Sequence, residues 1–115
     1  MGIQRFEDII AWQKAQDFVI VVYRLFQDIR DFNFRNQICS AVISIPNNIA
    51  EGFDRSSNAE FKRFLFYSLG SCSEVKSMLY SAYRLSYITA DDLSANIEFG
   101  DEISKIIRGL IKSIE

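Results

Sequence analysis

Gln37, Ser44, Asn48 and Glu51 are the polar residues whose types and spacing most invite a role. At 100° per residue the other three fall within about 40° of Gln37, so a helix would carry all four as one polar stripe. Such a stripe can contact a ligand or partner at the end of that helix. It can equally serve the backbone. Pro46 lies between Ser44 and Asn48, and a proline inside a helix frees carbonyls that polar side chains can satisfy. Arg55, Lys62 and Arg63 form the compact basic cluster of the chain. With Arg24, Arg30 and Arg35 at the same end of the molecule, they would present charge to phosphate. The interleaved Asp28, Asp31, Asp54 and Glu60 point instead to salt bridges.

Catalysis has less to work with. The chain contains no histidine, which removes the commonest general base and the commonest metal ligand. Di-iron bundles of the ferritin type need inward-facing Glu and His together, so that class is excluded. Asp91-Asp92 and Asp101-Glu102 are adjacent pairs that diverge on a helix, which suits caps and solvated faces better than a metal. Cys39 and Cys72 have no C-x-x-C spacing and no basic neighbour in sequence, and they read as inert core thiols of a reduced protein. A glycine-rich phosphate loop is absent. No catalytic residue, metal or cofactor is expected. A deep pocket lined by Gln37, Asn48 and Glu51 would revive an enzymatic reading.

The elements that must position these residues are helical. A chain of 115 residues, 49% hydrophobic and 24% charged, makes one globular domain spanning residues 1–115. Its net charge of −2 argues against blanket attraction to phosphate. No apolar run approaches the roughly 18 residues of a membrane span, and Met1–Arg5 lacks a signal-peptide pattern, so a soluble cytoplasmic protein is expected. Ala11, Ala15, Phe18, Val22, Leu25 and Ile29 advance by alternating fours and threes, predicting a first helix over 6–29. Phe34, Ile38, Ala41, Ile45 and Ile49 predict a second over 33–53, bent at Pro46 and closed by a left-handed Gly52. Ser57 and Glu60 have the spacing of a reciprocal capping box. They open a third helix, 58–86, whose seam is Phe61, Leu65, Ser68, Cys72, Val75, Leu79 and Ala82. Thr89 with Asp92 starts a fourth, with Ile103, Ile107, Leu110 and Ile114 inward. Four amphipathic helices on short connections predict an all-α fold, an antiparallel up-down four-helix bundle.

The second helix has an unusual outer side. From Ile38 to Ala50 it contains no charge, and Cys39, Ile43, Pro46 and Ala50 lie where a lone bundle would place charged residues. The expected reading is a subunit interface along that side, formed by these four residues; the alternative is cover by long neighbouring side chains.

Gln37 through Gly52, Q-I-C-S-A-V-I-S-I-P-N-N-I-A-E-G, resembles the signature of the four-helix-bundle proteins first noticed in 23S ribosomal RNA intervening sequences. The flanks Phe6–Ala15 and Glu60–Leu65, Gly70-Ser71 with Glu74, and the Arg84–Ile88 turn agree with it. The resemblance implies a ring-shaped homopentamer, a cytoplasmic prokaryotic setting and no established biochemical role, hence a scaffold or adaptor. A related branch, the accessory proteins of diversity-generating retroelements, implies an alternative: a nucleic-acid-binding module working with a reverse transcriptase. This chain departs from many relatives by carrying Cys39-Ser40 where they have arginine.

Overall fold

A computed structural model of the chain describes residues 2–114, and among them it contains helices and no strand. A short 3-10 helix, Phe6–Asp8, precedes α1 (Ile10–Phe26), α2 (Phe32–Phe53), α3 (Asn58–Arg84) and α4 (Ala90–Ser113). The first helix is thus shorter than its apolar pattern at both ends. Residues 6–8 form the separate 3-10 turn, tied to α1 by the Gln13 side chain, whose Nε2 donates to the Glu7 carbonyl at 2.9 Å.

Each later helix starts on a side-chain cap that accepts an otherwise unpaired backbone N–H. Asp31 accepts from Phe34, Ser57 from Glu60 and Thr89 from Asp92. Only the last is a reciprocal capping box. Ser57 lacks the return bond because the Glu60 carboxylate is engaged by Arg63 in two bonds of 2.8 and 3.0 Å. Helix α3 ends at Arg84, and two residues on the chain turns at Ser86, whose φ of 63° is left-handed. That turn lets the Tyr87 N–H donate back to the Ala82 carbonyl at 2.8 Å, satisfying a carbonyl of the last helical turn.

Each helix packs on two others, α1 on α2, α2 on α3, α3 on α4 and α4 back on α1, whereas backbones across the diagonal stay apart among the described residues. The 3-10 turn leans on both α1 and α2. The resulting body measures 44 × 22 × 19 Å, its long axis set by α3, which at 1.5 Å per residue runs about 40 Å. The core is one cluster in which Phe18, Phe26, Ile38, Ile45, Ile49, Leu65, Leu79, Ile103 and Ile107 are the largest wholly buried side chains. All but Phe26 were expected inside from their spacing.

Gly52 has a different purpose from the expected one. Its φ is not positive and α2 continues past it to Phe53. A Cβ built there would stand 2.5 Å from the Phe64 Cβ and 3.3 Å from the Phe61 ring, so glycine is needed for the close approach of α2 to α3. Gly52→Ala should therefore cost about 1–3 kcal/mol through overpacking. Ser86→Gly should have the opposite sign, a gain of about 0.5–1 kcal/mol from relief of left-handed strain. Urea denaturation with an unchanged slope checks both.

Candidate functional site

Near Pro46 the polar stripe of α2 turns inward and sideways. The Ser44 hydroxyl donates to the Ala41 carbonyl at 2.7 Å and meets the Ser71 hydroxyl of α3. Asn48 Nδ2 donates to the Ser44 carbonyl at 2.8 Å. From the facing helix, the wholly buried Ser68 donates to the Ile45 carbonyl at 2.8 Å. Glu51 instead faces solvent and pairs with Arg55 at 3.0 Å, one turn on, rather than with backbone donors of the next loop. Gln37 is exposed, about 21 Å along the helix from Glu51 at 1.5 Å per residue. Two members of the stripe bond to local backbone and the others stand apart, so the four do not converge on a pocket. Sequence spacing gave no sign of Ser68, because its place on the apolar seam of α3 resembles that of any small core residue.

The outer side of α2 is more covered than its sequence suggests. Pro46 is buried within the chain and Cys39 and Ala50 are half-buried, leaving Ile43 as the exposed member of the expected face, with 38% of its surface accessible. The cover comes from α1, α3 and the 3-10 turn, all of which pack on α2. What remains open is a shallow groove along α1 and α2, lined by Tyr23, Gln27, Asn36, Cys39, Ser40 and Ile43, with Arg35 at one end. Helix α1 and its C-terminal cap contribute a row the apolar pattern passed over: Gln16, Ile20, Tyr23 and the cap residue Gln27, spaced four, three and four apart and uncharged. Ile20 and Tyr23 are 47% and 42% exposed. The face is thus narrower on α2 than expected, and it extends across a second helix.

Arg55 and Arg63 both lie over the Phe64 ring at the turn from α2 into α3, and both are already engaged. The Arg55 guanidinium pairs with Glu51 and stacks 4.7 Å from the centre of the Phe64 ring. Arg63 is gripped by Glu60 and lies over Phe64 and Tyr67 at 5.4 and 5.6 Å. The Glu60 carboxylate raises the already high Arg63 pKa further. Lys62 is half-buried. Arg24, Arg30 and Arg35 do not join this cluster. Arg35 belongs to the first turn of α2 and Arg55 to its C-terminal flank, some 30 Å apart at helical rise. Arg35 itself donates to the Gln27 carbonyl at 3.2 Å and stacks on Phe32 at 4.7 Å.

Cys39 and Cys72 are free thiols, and burial pushes both above the ordinary thiol range. No cluster of three or more His, Cys, Asp or Glu able to hold a metal is present among the described residues. None of the described helices is long and apolar enough to cross a membrane.

Comparison with known proteins adds the family. The profile described as 23S rRNA-intervening sequence protein matches residues 7–109. The chain belongs to that family. None of the curated proteins matches it. Among solved structures, this family member is similar to a protein of unknown function from the S23 ribosomal protein family of Bacteroides thetaiotaomicron, at 25% identity and a TM-score of 0.83. That match covers 90% of this chain and 99% of the other. Neither description names an enzyme.

At the end where α1 hands over to α2, Asp31 performs two tasks. One carboxylate oxygen accepts from the Phe34 N–H and the other from the Tyr87 hydroxyl at 2.7 Å. Those bonds, the Tyr87 one foremost, hold its pKa below the usual 3.8. A carboxylate depressed in the folded state contributes stability above its unfolded pKa and loses it as pH falls through the folded value. Urea denaturation from pH 6 to pH 2 should show a loss beginning below about pH 4. Tyr87→Phe should make that loss smaller and move it toward higher pH.

Proposed function

We propose that this family member is a non-enzymatic, antiparallel up-down four-helix bundle, one domain over residues 1–115, that assembles with copies of itself as a cytoplasmic scaffold or adaptor. The direction of the helices is supported by paired contacts whose numbers run opposite ways. Phe53 meets Phe61 while Ser44 meets Ser71, and Cys72 meets Ser104 while Lys76 meets Asp101.

The observation that carries assembly is the α1–α2 face, charged only by Arg35 at one end of its groove, with Ile20, Tyr23 and Ile43 open. Exposed apolar groups gathered across two helices are best explained by a partner that removes them from water. A ring of five is the proposed state, following the family resemblance, and an odd ring needs two different complementary patches because its contacts are head-to-tail. Helix α3 offers a candidate for the second: Phe66 and Tyr80, 57% and 48% exposed, nearly four turns apart on one side. The nucleic-acid reading has weaker support, since Arg55 and Arg63 are paired with Glu51 and Glu60.

Light scattering at micromolar concentration tests the proposal. The expected result is a mass several times the 13.3 kDa protomer. Tyr23→Glu with Ile43→Glu should weaken association by at least about tenfold, equivalent to about 1.4 kcal/mol, without changing the helical circular dichroism. A wild-type mass of one protomer would overturn it.

A further inference from the structure

Between α3 and α4 lies a polar notch that the apolar seams of the fold do not require. It encloses about 160 Å³ and is bounded by Cys72 and Ser104 within and by Ser73, Lys76, Asp101 and Arg108 toward the surface. The notch is open because Cys72, Ser73 and Ser104 are small at positions where leucine or isoleucine would close the seam. Its depth therefore follows from side-chain size, and its chemistry from the two long cations beside it.

The charge balance is uneven. Lys76 Nζ lies 3.0 and 3.4 Å from the two oxygens of Asp101. Arg108 has no ion-pair partner among the described residues. Two cations against one carboxylate leave an excess positive charge at the notch, on a chain whose overall charge is −2. The inner wall adds no charge of its own. Burial pushes the Cys72 thiol up, so it stays protonated at neutral pH, and Ser104 stands beside it. Excess positive charge, a forked guanidinium and hydroxyl donors from two helices are what a tetrahedral oxyanion requires for several charge-assisted hydrogen bonds at once. At about 30 Å³ per water, the space suits one such group with a few waters. It is too small for an attached base or sugar as well.

We propose that this notch binds a single phosphate group, either free phosphate or the terminal phosphate of a small ester, with Arg108 as its principal ligand and Lys76, Ser73 and Ser104 as supporting donors. Asp101 limits the site to one such group by occupying much of Lys76. The site lies on α3 and α4, away from the α1–α2 face, so its failure and the failure of self-assembly are separate results.

The test is a titration of the intact chain with sodium phosphate, followed by backbone amide NMR shifts, against sodium chloride at matched ionic strength. Glycerol phosphate forms a second arm. Saturable shifts centred on residues 72–76 and 101–108 are expected with phosphate and not with chloride. Saturation by glycerol phosphate as well would assign the ester as a ligand, whereas saturation by phosphate alone would assign the free ion. Arg108→Gln, at an exposed position, should weaken binding roughly tenfold or more, the scale of a lost bidentate contact. Lys112→Gln, one turn further along α4, should leave it unchanged. Ser104→Leu, which fills the notch, should abolish binding, with its melting curve confirming a folded chain; if it does not fold, Arg108→Gln decides. Equal responses to chloride and phosphate, or equal weakening by Arg108→Gln and Lys112→Gln, would overturn the proposal.

Discussion

The seam between α2 and α3 is the constraint on which the rest of the structure depends. A proline within α2 removes a backbone donor from the helical ladder, and the facing helix meets that region with hydroxyls rather than hydrocarbon. Ser68, wholly buried, donates to the Ile45 carbonyl, and Ser44 and Ser71 join across the seam. One turn beyond Asn48, Gly52 admits the Cβ of Phe64 to a distance no other residue would tolerate. Small size and hydroxyl chemistry therefore act together: they bring the helices close and satisfy polar groups that close approach would otherwise strand.

Close contact on that side has a consequence for the outside of α2. A helix clasped by α1, α3 and the N-terminal turn has little surface left over, and Pro46 is consequently inside. The charge-free character of residues 38–50 thus has two causes. Part of it is ordinary burial within the chain. The remainder, Ile43 together with Ile20 and Tyr23 on α1, is a surface property. The basic residues are also divided between the two ends of α2, and at one end Glu51 and Glu60 already engage the arginines.

Helix number, core residues and caps were legible because they are periodic or local. Ala11 through Val22, Ile38 through Ile49 and Phe61 through Ala82 repeat at helical spacing, and each is buried where that spacing puts it. Ser57 and Thr89 stand immediately before helices and bond within three residues. What could not be read depends on which partner a residue takes among several that spacing allows. Gly52 looks the same in sequence whether it ends a helix or admits Phe64. Ser57 and Glu60 have the spacing of a box, yet Arg63 competes for the carboxylate. The burial of Pro46 depends on how three other elements pack around α2. The open row on α1 was legible in principle, since Gln16, Ile20, Tyr23 and Gln27 also follow helical spacing. A search for apolar stripes does not select a row whose other members are glutamine.

The chain has a single tryptophan, Trp12, and its ring meets Phe6 edge-on at 5.3 Å. Phe6 belongs to the 3-10 turn that leans on α1 and α2, whereas Trp12 is fixed within α1. The sole strong natural fluorophore of the molecule thus stands where the leading segment docks. Its emission reports whether that segment is seated, and it does so without any added label.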